Sequence, residues 1–305
     1  MLKSIILGLR YENTVNSVET AGLRKIGIIF SVVLILAVSA PPFAAASLRT
    51  DRQHREATGL SETAASFRFT VFSDDEEFSR RVLDRLEGAL EKVQADLHLK
   101  RILGKRCLVF IWPDREQYLQ KASAMGFSGL GLTGGFAVSA VDRIPHQLYL
   151  YRSEDLFPAV IPHELAHLLL EVTFNSTRKH RIPLWIHEGF AQCQEEKDFG
   201  PLARELAGKG RGELIPLREL TAITAYADDP RRRELFYRQS EGLVRFLLAE
   251  ETSPGEFFYL ARNIVFWSQD LETAIRSRYG KKFPNLEQLE ELWLRYLRNY
   301  PVGGG

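Results

Sequence analysis

The sequence predicts an α+β protein: a small mixed β-sheet in its first half, helices from residue 201 onward, and one strongly apolar helix between them. Three observations carry this. Short runs that alternate, or that are dense in β-branched and aromatic residues, crowd between residues 67 and 151. Apolar residues recur at threes and fours over most of the chain after Pro201. A helix-capping residue, Ser73 or Asp74, stands at the start of the helical segment over 74–99. At 305 residues, 45% apolar and 26% charged, the chain is long enough for one large or two small domains.

The elements follow in order. Arg24-Lys25 precede an apolar run over 26–40, then Pro41-Pro42 and Ala44-Ala45-Ala46. This fits a secretory signal cleaved after Ala46, or an N-terminal membrane anchor retained over 26–46. The leader ahead of it is long, and a translation start at Leu23 would leave a compact signal. No cysteine follows the run, so a lipid anchor is not indicated. Residues 47–65 are polar and read as a linker. Residues 67–73 alternate as a strand. The next helix, over 74–99, carries Val82, Leu83, Leu86, Leu90 and Val93 on one face, with Ser73 or Asp74 as its cap. A second strand covers 108–112 and a short helix 114–124. Residues 134–142 and 147–151 are two strands joined at Arg143-Ile144-Pro145-His146. Beyond Pro201, helices are expected over 232–251, 255–266, 270–279 and 286–300. These form a helical subdomain over 201–301, behind a subdomain over 66–200 and ahead of a disordered tail at 302–305.

Several function classes are disfavoured. A formal net charge of +1 offers no basic field for nucleic acid, and Arg231-Arg232-Arg233 is brief and followed by Glu234. Residues 129–134 spell G-x-G-x-x-G, but a helix-like segment precedes them and a strand-like one follows. That is the reverse of the dinucleotide-binding order, so a loop is expected. Cys107 and Cys193 are the only cysteines and are expected to be free thiols.

The chemistry concentrates in His163-Glu164-Leu165-Ala166-His167. Two histidines four apart on a helix share one face, so both imidazoles can reach one metal ion. Glu164, one step round the helix, is placed to take a proton from a water at that ion. Pro162 directly before His163 is anomalous, because an interior proline removes a helix hydrogen bond. Either the helix begins near Pro162 or it bends there. Zinc hydrolases commonly use three protein ligands, His2Glu among the known sets, and Glu188 in Trp185-Ile186-His187-Glu188-Gly189-Phe190-Ala191 supplies the third. Glu171 continues the row of His163 and His167, and three ligands in one straight row cannot wrap a tetrahedral ion. A role behind the ligands or at the surface suits it better. His187 points elsewhere on its helix, towards the surface or a pocket wall. Cys193 lies off the ligand face as a small buried packing residue.

His-Glu-x-x-His followed by Trp-x-x-Glu-Gly-x-Ala resembles the gluzincin metallopeptidases, in particular the bacterial peptidase MA-like proteins and, distantly, the aminopeptidase N group. The close match covers about residues 159–196, with looser similarity from residue 67 to the C-terminus. The resemblance implies a zincin-like fold and zinc-dependent hydrolysis of peptide or protein substrates. Zn2+ would sit on His163, His167 and Glu188, with Glu164 as general base. It also implies that the edge strand over 135–141 pairs with extended substrate. Tyr237 falls where related enzymes place an oxyanion-stabilising tyrosine, although a core tyrosine in an amphipathic helix has the same pattern. His180 and Arg181 are weaker candidates. The segment that anchors a substrate N-terminus in the aminopeptidases is absent, so an endopeptidase or processing enzyme outside the cytoplasm is expected. The competing reading is a binding or scaffolding protein of the cell envelope that keeps the zinc and hydrolyses nothing. Retention of Glu164 argues against it, since a purely structural zinc needs no base.

Overall fold

Phe69–Ser73 (β2) and Cys107–Trp112 (β3) are the strands richest in β-branched and aromatic residues, and they lie side by side in parallel. The computed structural model describes residues 58–100, 103–125, 134–139, 145–174, 181–251, 253–280 and 282–301. The expected signal or anchor at 1–46, the loop at 129–133, the turn residues 143–144, His180 and the tail at 302–305 lie outside them. The described residues form a mixed α+β fold around a five-stranded sheet of order β1-β2-β3-β5-β4. Its remaining strands are Ser61–Ala65 (β1), Gly135–Val138 (β4) and His146–Tyr151 (β5). β3 and β5 are parallel, while β1 and β4 are antiparallel edges, so the sheet is mixed as expected.

β1 corrects the expectation of a linker over the whole of 47–65. Its sequence, Ser-Glu-Thr-Ala-Ala, has little strand propensity, but the main chain pairs with β2 from Ser61↔Ser73 to Ala65↔Thr70. The Thr63 hydroxyl lies 2.6 Å from that of Ser79 and adds a side-chain tie. Backbone pairing outweighs local preference here.

Helix α1 (Glu76–Asp96) crosses from β2 to β3, and its cap is Asp75, whose carboxylate accepts from Phe78 N at 2.9 Å. Ser73, one of the two expected caps, instead accepts from Asp75 N at 3.1 Å and shapes the turn into the cap. Helix α2 (Arg115–Ala124) is capped by Asp114. Strand pleating sorts the sheet into two layers. Val71, Val109 and Leu148 are register neighbours facing the main core. Phe72, Phe110, Tyr149 and Phe136 form the opposite row, a stack of rings against which Tyr118 of α2 packs.

Helix α3 (Ile161–Phe174) bears the histidine motif and is buried on nearly every face, with Leu165, Ala166, Leu168, Leu169 and Leu170 fully buried. A helix of this kind belongs at the centre of a core. It packs on α1, β4, β5, α4 (Leu184–Gln194) and α8 (Glu256–Trp267). The anomaly at Pro162 resolves into a π-helical turn over Leu156–Val160 that runs directly into α3. The carbonyls it leaves open at Phe157 and Pro158 accept from Arg85 Nε and Glu196 N. Helices α5 (Gly200–Gly208), α6 (Leu217–Leu220), α7 (Pro230–Ala249), α9 (Leu271–Tyr279) and α10 (Leu286–Arg298) complete the C-terminal part. The main core is continuous from Phe69 in the sheet to Leu297 in α10. Among the described residues, no helix is long and apolar enough to cross a membrane.

Candidate metal centre

His163 and His167 stand one turn apart on α3, their Nε2 atoms 3.0 Å apart. Glu188 reaches them from α4, its Oε2 lying 3.9 Å from His163 Nε2 and 3.7 Å from His167 Nε2. All three side chains are fully buried. Three atoms at these separations lie on a circle of about 2.1 Å radius, taken as the product of the sides over four times the triangle's area; this is the length of a Zn–N or Zn–O bond. Among the described residues these three form the one His, Cys, Asp and Glu cluster able to hold a metal ion.

Two further observations fit a cation at this point. Glu188 Oε2 is buried and has no hydrogen-bond partner, a costly state for a carboxylate oxygen that a positive charge would relieve. The histidines are also driven apart in proton affinity. Burial opposes charge on His163, but the hydrogen bond and charge of Glu195, with Glu164 and Glu188, outweigh it and raise its pKa. His167 is pushed well below 6.5 by burial and then by His187 and His163.

The surroundings hold the ligands in place. Glu195, just past α4, meets His163 Nδ1 at 2.7 Å and fixes the proton on that nitrogen, leaving Nε2 for a metal. Burial raises the pKa of Glu195, but His163 and Lys197 outweigh it and bring it down. Lys197 Nζ lies 3.0 Å from Glu195 and 2.9 Å from Glu241 of α7, whose other oxygen meets Arg245 Nε at 3.0 Å. This alternating chain neutralises the buried charges behind the site. On the far side, the Tyr226 hydroxyl donates to Glu188 Oε1. Tyr226 stacks on Tyr237 of α7 with ring centres 5.8 Å apart.

Glu164 is fully buried beside the ligands, and its Cγ lies against Gly135 at the start of β4: a Cβ on Gly135 would come within 3.3 Å of it. The motif helix and the edge strand therefore meet at the proposed base. Gly189 directly follows Glu188, and a Cβ there would fall 2.4 Å from the Ser240 carbonyl. Only glycine lets α4 approach α7 this closely.

The structure brings His163, Glu164, His167 and Glu188 together. It buries Tyr237 in α7, close enough that Glu188 and Glu164 act on its charge; burial, then Glu188, raises its pKa. His187 is not at the surface, one of its two expected placements. It is buried and stacked on His167 with ring centres 4.1 Å apart, its Nε2 lying 3.4 Å from Glu171 Oε1. Burial opposes its charge, but Glu171 and Glu188 outweigh it and raise its pKa to about 9. Arg181 is exposed. Cys193 is buried as expected, with a thiol pushed up to about 12 by burial, and Cys107 is likewise a buried free thiol. Glu195 and Tyr226 were not foreseen. Neither belongs to the two motifs, and Tyr226 sits among small and acidic residues with no telling spacing.

No family model matches the chain, and no curated protein matches it.

Proposed function

We propose that the protein is a zinc-dependent metallopeptidase of the gluzincin type, with a zincin-like fold. The observation that carries this is the convergence of His163 Nε2, His167 Nε2 and Glu188 Oε2 on one point, with Glu164 buried beside it. The same donor set can serve ferrous oxygenases. A carboxylate base one residue after the first ligand is what hydrolysis requires, and it favours zinc. Zinc bound there supplies Lewis acidity, bringing the pKa of a water towards about 7 and polarising a substrate carbonyl.

The chain's own residues do the rest. Glu164 accepts the proton of the attacking water and delivers it to the leaving amine. Glu195 and Tyr226 keep the ligands oriented. Tyr237, buried and holding its proton, serves as hydrogen-bond donor to the oxyanion. Among the described residues β4 is an edge strand of the sheet, a position suited to pairing with an extended peptide or protein substrate. An endopeptidase or processing protease fits this arrangement. With the apolar run at 26–46, it acts outside the cytoplasm, either released after signal cleavage or anchored to the membrane.

The test is incubation of the zinc-loaded protein, and of its Glu164→Gln variant, with a complex peptide mixture. Mass spectrometry then reads the new internal termini. The parent is expected to generate them and the variant to fall by about 10²–10⁴ in rate. Equal binding of the same peptides by both, with no cleavage by either, would favour a binding protein.

A further inference from the structure

We propose that Tyr226 and His187 are positioning residues that hold Glu188 to ligation through a single oxygen; this rests on the reading of His163, His167 and Glu188 as metal ligands. The two oxygens of Glu188 stand in different surroundings. Oε1 accepts the hydrogen bond of the Tyr226 hydroxyl, and His187 Nδ1 lies 3.9 Å from the same atom. Oε2 has no hydrogen-bond partner and faces both ligand imidazoles. A carboxylate within reach of a divalent ion can close both oxygens on it. A hydroxyl donor on one oxygen opposes this, because in a buried site no water replaces the lost hydrogen bond.

His187 is itself held from the motif helix. Its ring lies flat on His167, and its Nε2 faces Glu171 Oε1, one turn beyond His167 on α3. Tyr226 is held by its stack on Tyr237. The Glu188 carboxylate is thus held by Tyr226, which stacks on α7, and flanked by His187 of its own helix, which faces Glu171 of α3. Glu171 and His187, redundant as ligands, acquire a role in setting how the third ligand binds. The consequence is chemical. One-oxygen ligation by Glu188 leaves a coordination position open, as a catalytic site needs, whereas two-oxygen ligation would fill it.

Cobalt(II) substitution reads this directly, because visible absorption weakens as the coordination number rises from four. Parent protein titrated with Co2+ is expected to take up one equivalent and to show intense visible bands. Tyr226→Phe keeps the ring stack and removes the hydroxyl. It is expected to bind cobalt with weakened, shifted bands. Should that variant fail to fold, His187→Phe, which keeps a ring against His167 and removes the imidazole nitrogen 3.9 Å from Oε1, is read the same way. A variant spectrum that superimposes on the parent's overturns the proposal and leaves the ligand reading intact. A parent that takes up no cobalt overturns both.

Discussion

The carbonyl of Pro158 accepts a hydrogen bond from the N–H of Glu196 at 2.7 Å, and this contact joins the segment after α4 to the start of α3. The carbonyl is open to Glu196 because Pro162, four residues on, has no N–H to offer it. Arg85 strengthens the junction, donating from Nε to the Phe157 carbonyl at 2.7 Å and pairing with the Glu196 carboxylate at 2.5 Å. Glu195, the residue before, is thereby held against His163. The proline beside the motif thus serves the metal centre: the hydrogen bond it withholds from the helix is used to aim the partner of a ligand.

Glu195→Gln should lower metal affinity by about 10–100-fold while leaving the fold intact, because the amide keeps the contact to His163 and loses the charge that supports it. Lys197 retains Glu241 at 2.9 Å and is not left alone. Competition with a chelating dye measures this. An affinity equal to the parent's would remove Glu195 from the site's machinery.

Gly189→Ala should destabilise the protein by about 1–3 kcal/mol, since its Cβ would meet the Ser240 carbonyl at 2.4 Å and backbone cannot rotate aside as a side chain can. The helix that moves carries Glu188, so metal affinity should fall too. Urea unfolding of parent and variant checks the first effect, and an unchanged midpoint would mean that α4 and α7 adjust freely.

His146 makes acid sensitivity predictable. Burial, and then Lys105, lower its pKa from 6.5 to about 4, so the fold holds it neutral. The stabilisation is fully present above 6.5 and is lost as pH falls towards 4, to an upper bound of about 3 kcal/mol. His146→Gln should lose less stability than the parent between those two values. Parallel unfolding curves at each pH would show that other groups govern the acid limb.

Much of this was readable along the chain. Strands β2, β3 and β5 announce themselves by aromatic and β-branched runs, and α1 by apolar residues at threes and fours. The histidine motif and Glu188 were legible because helix geometry converts their spacing into a shared face. β1 was not, since its stability lies in main-chain pairing to β2. Glu195 and Tyr226 were hidden for a related reason. Their partners lie 32 and 38 positions away, and such contacts are created by how α4 packs against α3 and against the segment ahead of α7. Of the two places expected for His187, the surface fails because every face of α4 past Trp185 is buried.

Zinc content per chain tests the central claim most directly, measured by mass spectrometry of the element on the parent, Glu164→Gln and Glu188→Ala. Glu164 is assigned to proton transfer and Glu188 to the metal, and removing one of three ligands leaves too few donors for a stable open site. The parent and Glu164→Gln should each carry close to one zinc, and Glu188→Ala should lose most of it. Full zinc in Glu188→Ala, or its loss in Glu164→Gln, would contradict the assignment.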